Sequence, residues 1–130
     1  MKKKNKSLSQ EIKDTQKYFN RYIRERDNHR CFCCEIINPK ISTAGHLITT
    51  NCKSVIFDER QVHCQCRGCN YEHEFRPEIY TQKYIKKFGL SQYNEIIRIS
   101  KQLKKWTRED LHKLKGYYKF KLEKEYGIKI

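Results

Sequence analysis

Apolar residues recur at helical spacing near the start of the chain, lose that rhythm in the middle, and regain it towards the end. Leu8, Ile12, Phe19, Tyr22 and Ile23 predict an amphipathic N-terminal helix running to about Asp27. Ser7 or Ser9 is suited to cap it. From Cys31 to Asn70 no helical period survives. Two β-prone stretches, 41–50 and 54–57, flank Asn51-Cys52-Lys53 and predict a hairpin or a wider loop. Helical spacing returns at Ile79, Tyr80, Tyr84, Ile85 and Phe88, with Pro77 suited to a first turn and Gly89 to the position after a last one. Ser91 starts another predicted helix, with Tyr93, Ile96, Ile97, Ser100 and Leu103 along one side. Thr107-Arg108-Glu109-Asp110 is a weaker capping box, Asp replacing Glu, that leads into Leu111, Leu114, Tyr118 and Leu122. Gly127 is placed to stop that helix. The pattern predicts an α+β fold: a short β-containing segment with one helix before it and helices after it.

Composition changes this picture in two ways. Lys and Arg number 29 against 15 Asp and Glu, a formal charge of +14. Such an excess speaks about partners rather than fold, and nucleic-acid phosphates are the foremost counter-charge, ahead of an anionic membrane surface. There are seven cysteines. No apolar run approaches a membrane span, and polar residues follow Met1-Lys2-Lys3-Lys4 where a signal peptide needs an apolar core. The chain therefore reads as cytoplasmic, with no membrane partner, and its cysteines as metal ligands rather than disulfides. Residues 1–8 read as a basic disordered tail. Residues 9–130 read as one domain: an N-terminal helix over 9–30, a cysteine-framed core over 31–76, and a helical tail over 77–130.

The cysteines carry the chemistry. Cys31-x-x-Cys34 and Cys66-x-x-Cys69 are two knuckles that can converge on one tetrahedral zinc. The stretch 35–65 between them has room for a hairpin. Cys33 and Cys64 each offer a Cys-x-Cys alternative, and Cys52 stands alone. Four thiolates leave no open position for water, so this zinc is expected to be structural. Enclosed by the knuckles is His46, after Gly45, and directly after the last cysteine comes Asn70. Phosphodiester hydrolysis needs a base for water and a cation on the phosphate oxygens. His46 is the candidate base, and the Asn70 amide oxygen suits a hard ion such as Mg²⁺ or Mn²⁺. His63 could orient the base, bind that ion or touch the phosphate. His73 and Glu74 form a second tier near the same site. His29 and His112 lack such a context.

These residues together resemble a known family, the phage recombination protein NinG, also called Rap. The resemblance runs from Tyr22-Ile23-Arg24-Glu25-Arg26-Asp27, through Cys31-x-x-Cys34 and Ala44-Gly45-His46, to Val62-His63-Cys64-Gln65-Cys66-Arg67-Gly68-Cys69-Asn70. It continues in Lys105-Trp106-Thr107-Arg108-Glu109-Asp110-Leu111. That family is similar to the HNH, or ββα-metal, His-Me finger nucleases and to endonuclease VII-type resolvases. The resemblance implies a zinc-stapled ββα-metal finger around one catalytic divalent ion, with His46 as general base and Asn70 at the ion; His46 and His73 are further candidates to bind it. It also implies cleavage of branched double-stranded DNA, including Holliday junctions, with other recombination proteins as further partners. Gly45 stands where many HNH motifs carry a metal-binding Asp, Gln61 where a middle Asn is expected, and Cys64 where glycine is expected. His73 or Glu74 could fill the gap left at Gly45.

Contacts to DNA are expected from Arg24 or Arg26, from Arg67, and from the row Lys83, Lys86 and Lys87, with Lys101, Lys104 and Lys105 as a second row. Such contacts give affinity without sequence information. A homodimer, docked through the C-terminal helices, would allow two strands to be cut. The competing expectation is a non-catalytic zinc-containing DNA-binding accessory module, for which Gly45 and Gln61 speak.

Overall fold

A computed structural model describes residues 6–129. The element order is α1 (Leu8–Arg26), β1 (Ser42–His46), β2 (Val62–Cys66), α2 (Arg67–Glu72), α3 (Pro77–Phe88), α4 (Leu90–Ser100) and α5 (Arg108–Tyr126). Most of the tail expected over 1–8 lies outside the described residues, and Leu8 already begins α1. No described helix is long and apolar enough to cross a membrane. The chain gathers into two compact units. One joins the N-terminal segment up to Tyr22 with the C-terminal segment from Trp106, and the other is Ile23–Lys105.

The first unit is a pair of capped helices. Ser7 rather than Ser9 caps α1: its Oγ accepts from the Gln10 N–H while Gln10 Oε1 accepts from the Ser7 N–H, both at 3.2 Å. Two orphan donors are satisfied at once. Thr107 does the same work for α5, its Oγ1 accepting from the Asp110 N–H at 3.0 Å, and Gly127 ends that helix at φ 63°. Phe19, Leu111, Tyr118 and Leu122 are buried, with the Phe19 and Tyr118 rings edge to face at 5.1 Å. Fully burying a side chain of this kind stabilises the fold by about 1.5–3 kcal/mol. Glu11, also buried, is paired with His112 Nε2 at 3.0 Å.

In the second unit β1 and β2 form an antiparallel two-stranded sheet, with Ala44 opposite Cys64, Gly45 opposite His63 and His46 opposite Val62. The hairpin partner of β1 is thus 62–66, and the expected strand over 54–57 does not form. Val55, Ile56 and Phe57 are instead buried as a plug of core side chains, and their backbone closes successive turns, Val55 N–H to Cys52 O and Asp58 N–H to Val55 O. Gln61, standing where a middle Asn is expected, braces this loop. Its Nε2 donates to Val55 O at 2.7 Å, and its Oε1 accepts from the Ile48 N–H at 2.8 Å.

Pro77 takes the first turn of α3, and Gly89, at φ 92°, separates α3 from α4. Tyr80 and Tyr84 from α3 pack with Cys31, Cys33 and Leu47 in one core cluster. Helix α4 stops at Ser100, where i to i+3 turns at Lys101 and Gln102 replace helical bonds. Leu103, expected on its apolar side, is therefore fully exposed, and Lys101, Lys104 and Lys105 lie beyond the helix with no helical spacing to align them.

Candidate functional site

The four knuckle cysteines come together. The sulfurs of Cys31, Cys34, Cys66 and Cys69 all lie within 4.8 Å of one another. Cys34 Sγ and Cys66 Sγ are 3.7 Å apart. A zinc tetrahedron with Zn–S bonds of about 2.3 Å has S···S edges of about 3.8 Å, so this cluster has the dimensions to hold zinc. The knuckles share one local geometry. The Cys34 N–H donates to Cys31 Sγ, and the Cys69 N–H to Cys66 Sγ, each at 3.5 Å. Glu35 turns the chain away at φ 65°.

Ionisation within the cluster is uneven. Burial opposes it at Cys31, but backbone N–H groups of Cys34, Cys66 and Cys33 outweigh that and bring the thiol down to about 7. Burial and the neighbouring sulfurs push the Cys69 thiol up. A cation relieves that crowding of negative charge, because it replaces the shared protons. Cys33 and Cys64 stand outside the cluster. Burial raises both, Cys64 to about 11, and Cys33 Sγ instead accepts from Gln65 Nε2 at 3.3 Å. Cys52 is a half-buried loop residue.

His46 ends β1, and Asn70 lies in α2, which packs against both strands. His46 Nε2 is 3.0 Å from the Ile56 carbonyl. A carbonyl oxygen only accepts, so Nε2 donates to it, and the Ala44 carbonyl is a second acceptor beside the ring. Burial holds the His46 pKa below its usual value, opposed by the Ile56 and Ala44 carbonyls, so the ring is neutral at pH 7. That is the protonation state a general base requires.

His63 is placed differently from His46. Cross-strand partners share a face, so His46 lies with Val62 on one face of the hairpin and His63 with Gly45 on the other. His63 is therefore not positioned to orient His46. Its Nδ1–H donates to Tyr80 Oη at 3.1 Å, and Tyr80 Oη in turn donates to the Gly45 carbonyl at 2.9 Å. Burial, with the Arg26 and Lys87 charges and against Asp27, lowers the His63 pKa to about 4. The ring lies 4.7 Å from Phe32 and 5.2 Å from Phe88, and Lys87 Nζ sits 5.5 Å from both of those aromatic rings. Together with Arg30, Lys83, Lys86 and Lys87 it lines an open cleft of about 540 Å³.

The expected DNA contacts divide. Lys86 and Lys87 are exposed on the last turn of α3, beside the cleft. Arg67 is exposed at the start of α2, with Nη2 on the Lys40 carbonyl at 3.2 Å. Arg24 is half-buried in the last turn of α1. Arg26 is committed to the fold: its guanidinium grips Asp27 through two bonds of 2.8 and 3.1 Å and donates to the carbonyls of Glu59 and Val62. It holds the loop and β2 instead of meeting a phosphate. His29 is structural too, bridging Ser42 Oγ and Glu25.

Three residues that sequence reasoning left without a role matter here. Asp27 receives Arg26 and also accepts from the Cys64 N–H at 2.8 Å. Tyr80, read only as an apolar position, joins β1 to β2 through its hydroxyl. Gln65 is fully buried beside Gly45. The acidic residue following Arg26 hinted at the first, whereas no local signal distinguishes the other two from ordinary core positions.

The family model described as Bacteriophage Lambda NinG protein matches residues 1–126. A relative named Protein ninG from Salmonella phage P22 is 33% identical over 114 residues, 86% of this chain and 56% of the relative. Proteins of the same name from Escherichia phage 933W and Escherichia phage lambda are each 32% identical over 114 residues, covering 86% of this chain and 56% and 55% of their own lengths. The chain thus spans about half the length of the curated relatives it matches. No solved structure matches it. With the paired knuckles, the enclosed His46 and the helices through α5 all falling within the matched residues, the chain belongs to the NinG family.

Proposed function

We propose that this chain is a metal-dependent endonuclease that hydrolyses phosphodiesters in branched DNA such as Holliday junctions. The observation that carries the reading is His46: enclosed by the knuckles at the end of β1, fixed by the Ile56 carbonyl, and held by burial below its usual pKa. Two further features support it. The hairpin runs directly into α2, the order of a ββα-metal finger, and the four-cysteine cluster sits where β2 meets α2.

Zinc in the cysteine cluster is structural, since four thiolates leave no site for water. A Mg²⁺ or Mn²⁺ ion at Asn70 would neutralise charge on the phosphate and leaving oxygens. His46 takes a proton from the attacking water as its oxygen bonds to phosphorus and the P–O bond to the leaving oxygen breaks. The exposed Lys86 and Lys87 beside the cleft track the phosphate backbone, while His63, buried and bonded to Tyr80, does not assist the base. Tyr117 and Phe120, exposed on α5, supply the apolar surface for a homodimer.

His46→Ala should abolish cleavage of a synthetic four-way junction while junction binding and zinc content persist. Cleavage at the wild-type rate would refute the assignment. A second reading, a non-catalytic DNA-binding module, is favoured by one observation: the Gln65 side chain fills the space beside Gly45 where a metal-binding carboxylate would branch. Junction binding by the wild type with no cleavage in Mg²⁺ or Mn²⁺ selects that reading.

A further inference from the structure

Two open clefts meet at His63 and Lys87, and each holds a half-buried aromatic ring. The first, of about 540 Å³, is lined by Arg30, Phe32, Lys83, Lys86 and Lys87 among others. The second, of about 410 Å³, shares Asp27, His63 and Lys87 with it and adds Phe88, Arg60 and Gln92. Phe32 and Phe88 are neither core residues nor fully exposed. Their rings stand 6.1 Å apart and within 6° of parallel. Both are backed by the fold: Phe32 by His63 at 4.7 Å and Tyr80 at 5.3 Å, Phe88 by Tyr84 at 4.9 Å. The Phe32 N–H donates to the Cys64 carbonyl at 2.7 Å, so the first knuckle fixes where that ring stands.

Charge and shape select the guest. Asp27 is already held by Arg26, and Lys83 donates to the Cys33 carbonyl. Arg30, Lys86 and Lys87 remain, exposed at the first cleft against the single carboxylate of Glu35. Lys87 Nζ lies 5.5 Å from the Phe32 and Phe88 rings alike. Surplus cations beside aromatic rings suit a phosphate joined to a flat base. In a duplex the bases are stacked on one another, and recessed rings find no free base face. An unpaired nucleotide offers one. Stacking of a base on an aromatic ring outweighs an exposed cation–π contact, so a base can displace the Lys87 ammonium and leave it to meet the adjoining phosphate.

We propose that the two clefts seat consecutive unpaired nucleotides of a DNA strand, bases against Phe32 and Phe88 and phosphates on Arg30, Lys86 and Lys87. His63 lines both clefts from the face of the hairpin opposite His46, so the strand held here is not the one offered to His46. The site rests on the DNA-binding part of the reading above and is independent of cleavage.

Fluorescence anisotropy of the zinc-loaded full chain, without Mg²⁺ or Mn²⁺, compares a short oligo-dT, the same oligomer carrying abasic sites, and a duplex of equal length. The abasic oligomer keeps every phosphate and lacks the bases, so it should bind about tenfold more weakly than oligo-dT. Phe32→Leu should weaken oligo-dT by a similar factor, leave duplex affinity within about twofold, and retain zinc. If that substitution releases zinc, the abasic comparison on the wild type decides alone. Equal affinity for oligo-dT and the abasic oligomer overturns the site, and so does unchanged oligo-dT binding by a zinc-loaded Phe32→Leu. Oligo-U held more tightly than oligo-dT overturns the DNA assignment in favour of RNA. Base-dependent binding by a wild type that cuts no junction keeps the site and removes the nuclease reading. Junction cleavage with no base dependence does the reverse.

Discussion

Removing a single oxygen from Tyr80 tests whether its hydroxyl ties the hairpin together. Tyr80 is 1% exposed, and its hydroxyl donates to the Gly45 carbonyl on β1 while accepting from His63 Nδ1–H on β2. Tyr80→Phe keeps the ring, its packing on Leu47 and Tyr84, and the helix that carries it. What it deletes is one donor and one acceptor, stranding a buried carbonyl and a buried N–H. Each of the two stranded groups costs about 1–3 kcal/mol, so the variant should lose about 2–6 kcal/mol. For a unit the size of Ile23–Lys105 this corresponds to a fall of roughly 10–50 °C in melting temperature. Denaturant unfolding of the zinc-loaded protein measures it, with zinc content confirming that the knuckles are intact. The ¹⁵N spectrum of His63 adds an independent readout: the Nδ1–H tautomer should dominate in the wild type and give way to a mixture in the variant. A loss below about 0.5 kcal/mol, with the tautomer unchanged, would show that the hydroxyl does not bridge the strands.

Three other outcomes follow from the same structure. The His63 pKa of about 4 lies below its unfolded value of about 6.5, so the unfolded chain binds the extra proton first as pH falls. Its contribution of about 3 kcal/mol is fully present above pH 6.5 and is lost as pH falls through about 4; the wild type minus His63→Gln stability difference, followed from pH 8 to 3.5, should show that decline, and a flat difference would contradict it. Chelation of zinc, or Cys69→Ser, should raise amide exchange across 31–76 far more than across α5, because metal binding energy is folding energy for a loop-rich segment, and uniform protection would refute this. Lys86→Gln with Lys87→Gln should reduce the log–log salt slope of duplex binding by about 1.8, while an unchanged slope places both lysines away from phosphate.

Local chemistry was legible in the sequence because it acts over a few residues. Ser7, Pro77, Gly89, Thr107 and Gly127 each set a helix boundary through their own backbone or side chain, and each stands where its type predicts. The knuckles were legible for the same reason, since a three-residue spacing fixes where both sulfurs point. Val55–Phe57 misled because a short apolar run reads alike as strand and as core plug, and only packing distinguishes them. The separation of His46 from His63 depends on cross-strand register, which pairs His63 with Gly45 and is set by contacts far apart in the chain. Arg26 looked like a phosphate ligand until Asp27 and two carbonyls claimed it. Gln65 and Tyr80 have no local signature because what defines them is the group opposite, 32 and 35 residues distant.

The helical pair carries a consequence for the order of synthesis. Thr15 Oγ1 on α1 reaches the Leu111 carbonyl on α5 across 96 residues of chain. At about 5–20 residues per second, α1 waits roughly 5–20 s on the ribosome before that partner exists. Throughout that interval Phe19, buried in the finished pair, has no Tyr118 to cover it. The intervening cysteines, by contrast, are all translated by residue 69 and can capture zinc while α5 is still unmade. A ribosome stalled before Trp106 should thus display a metallated finger attached to an apolar helix awaiting its mate, a nascent species open to chaperones at one end and already resistant to protease at the other.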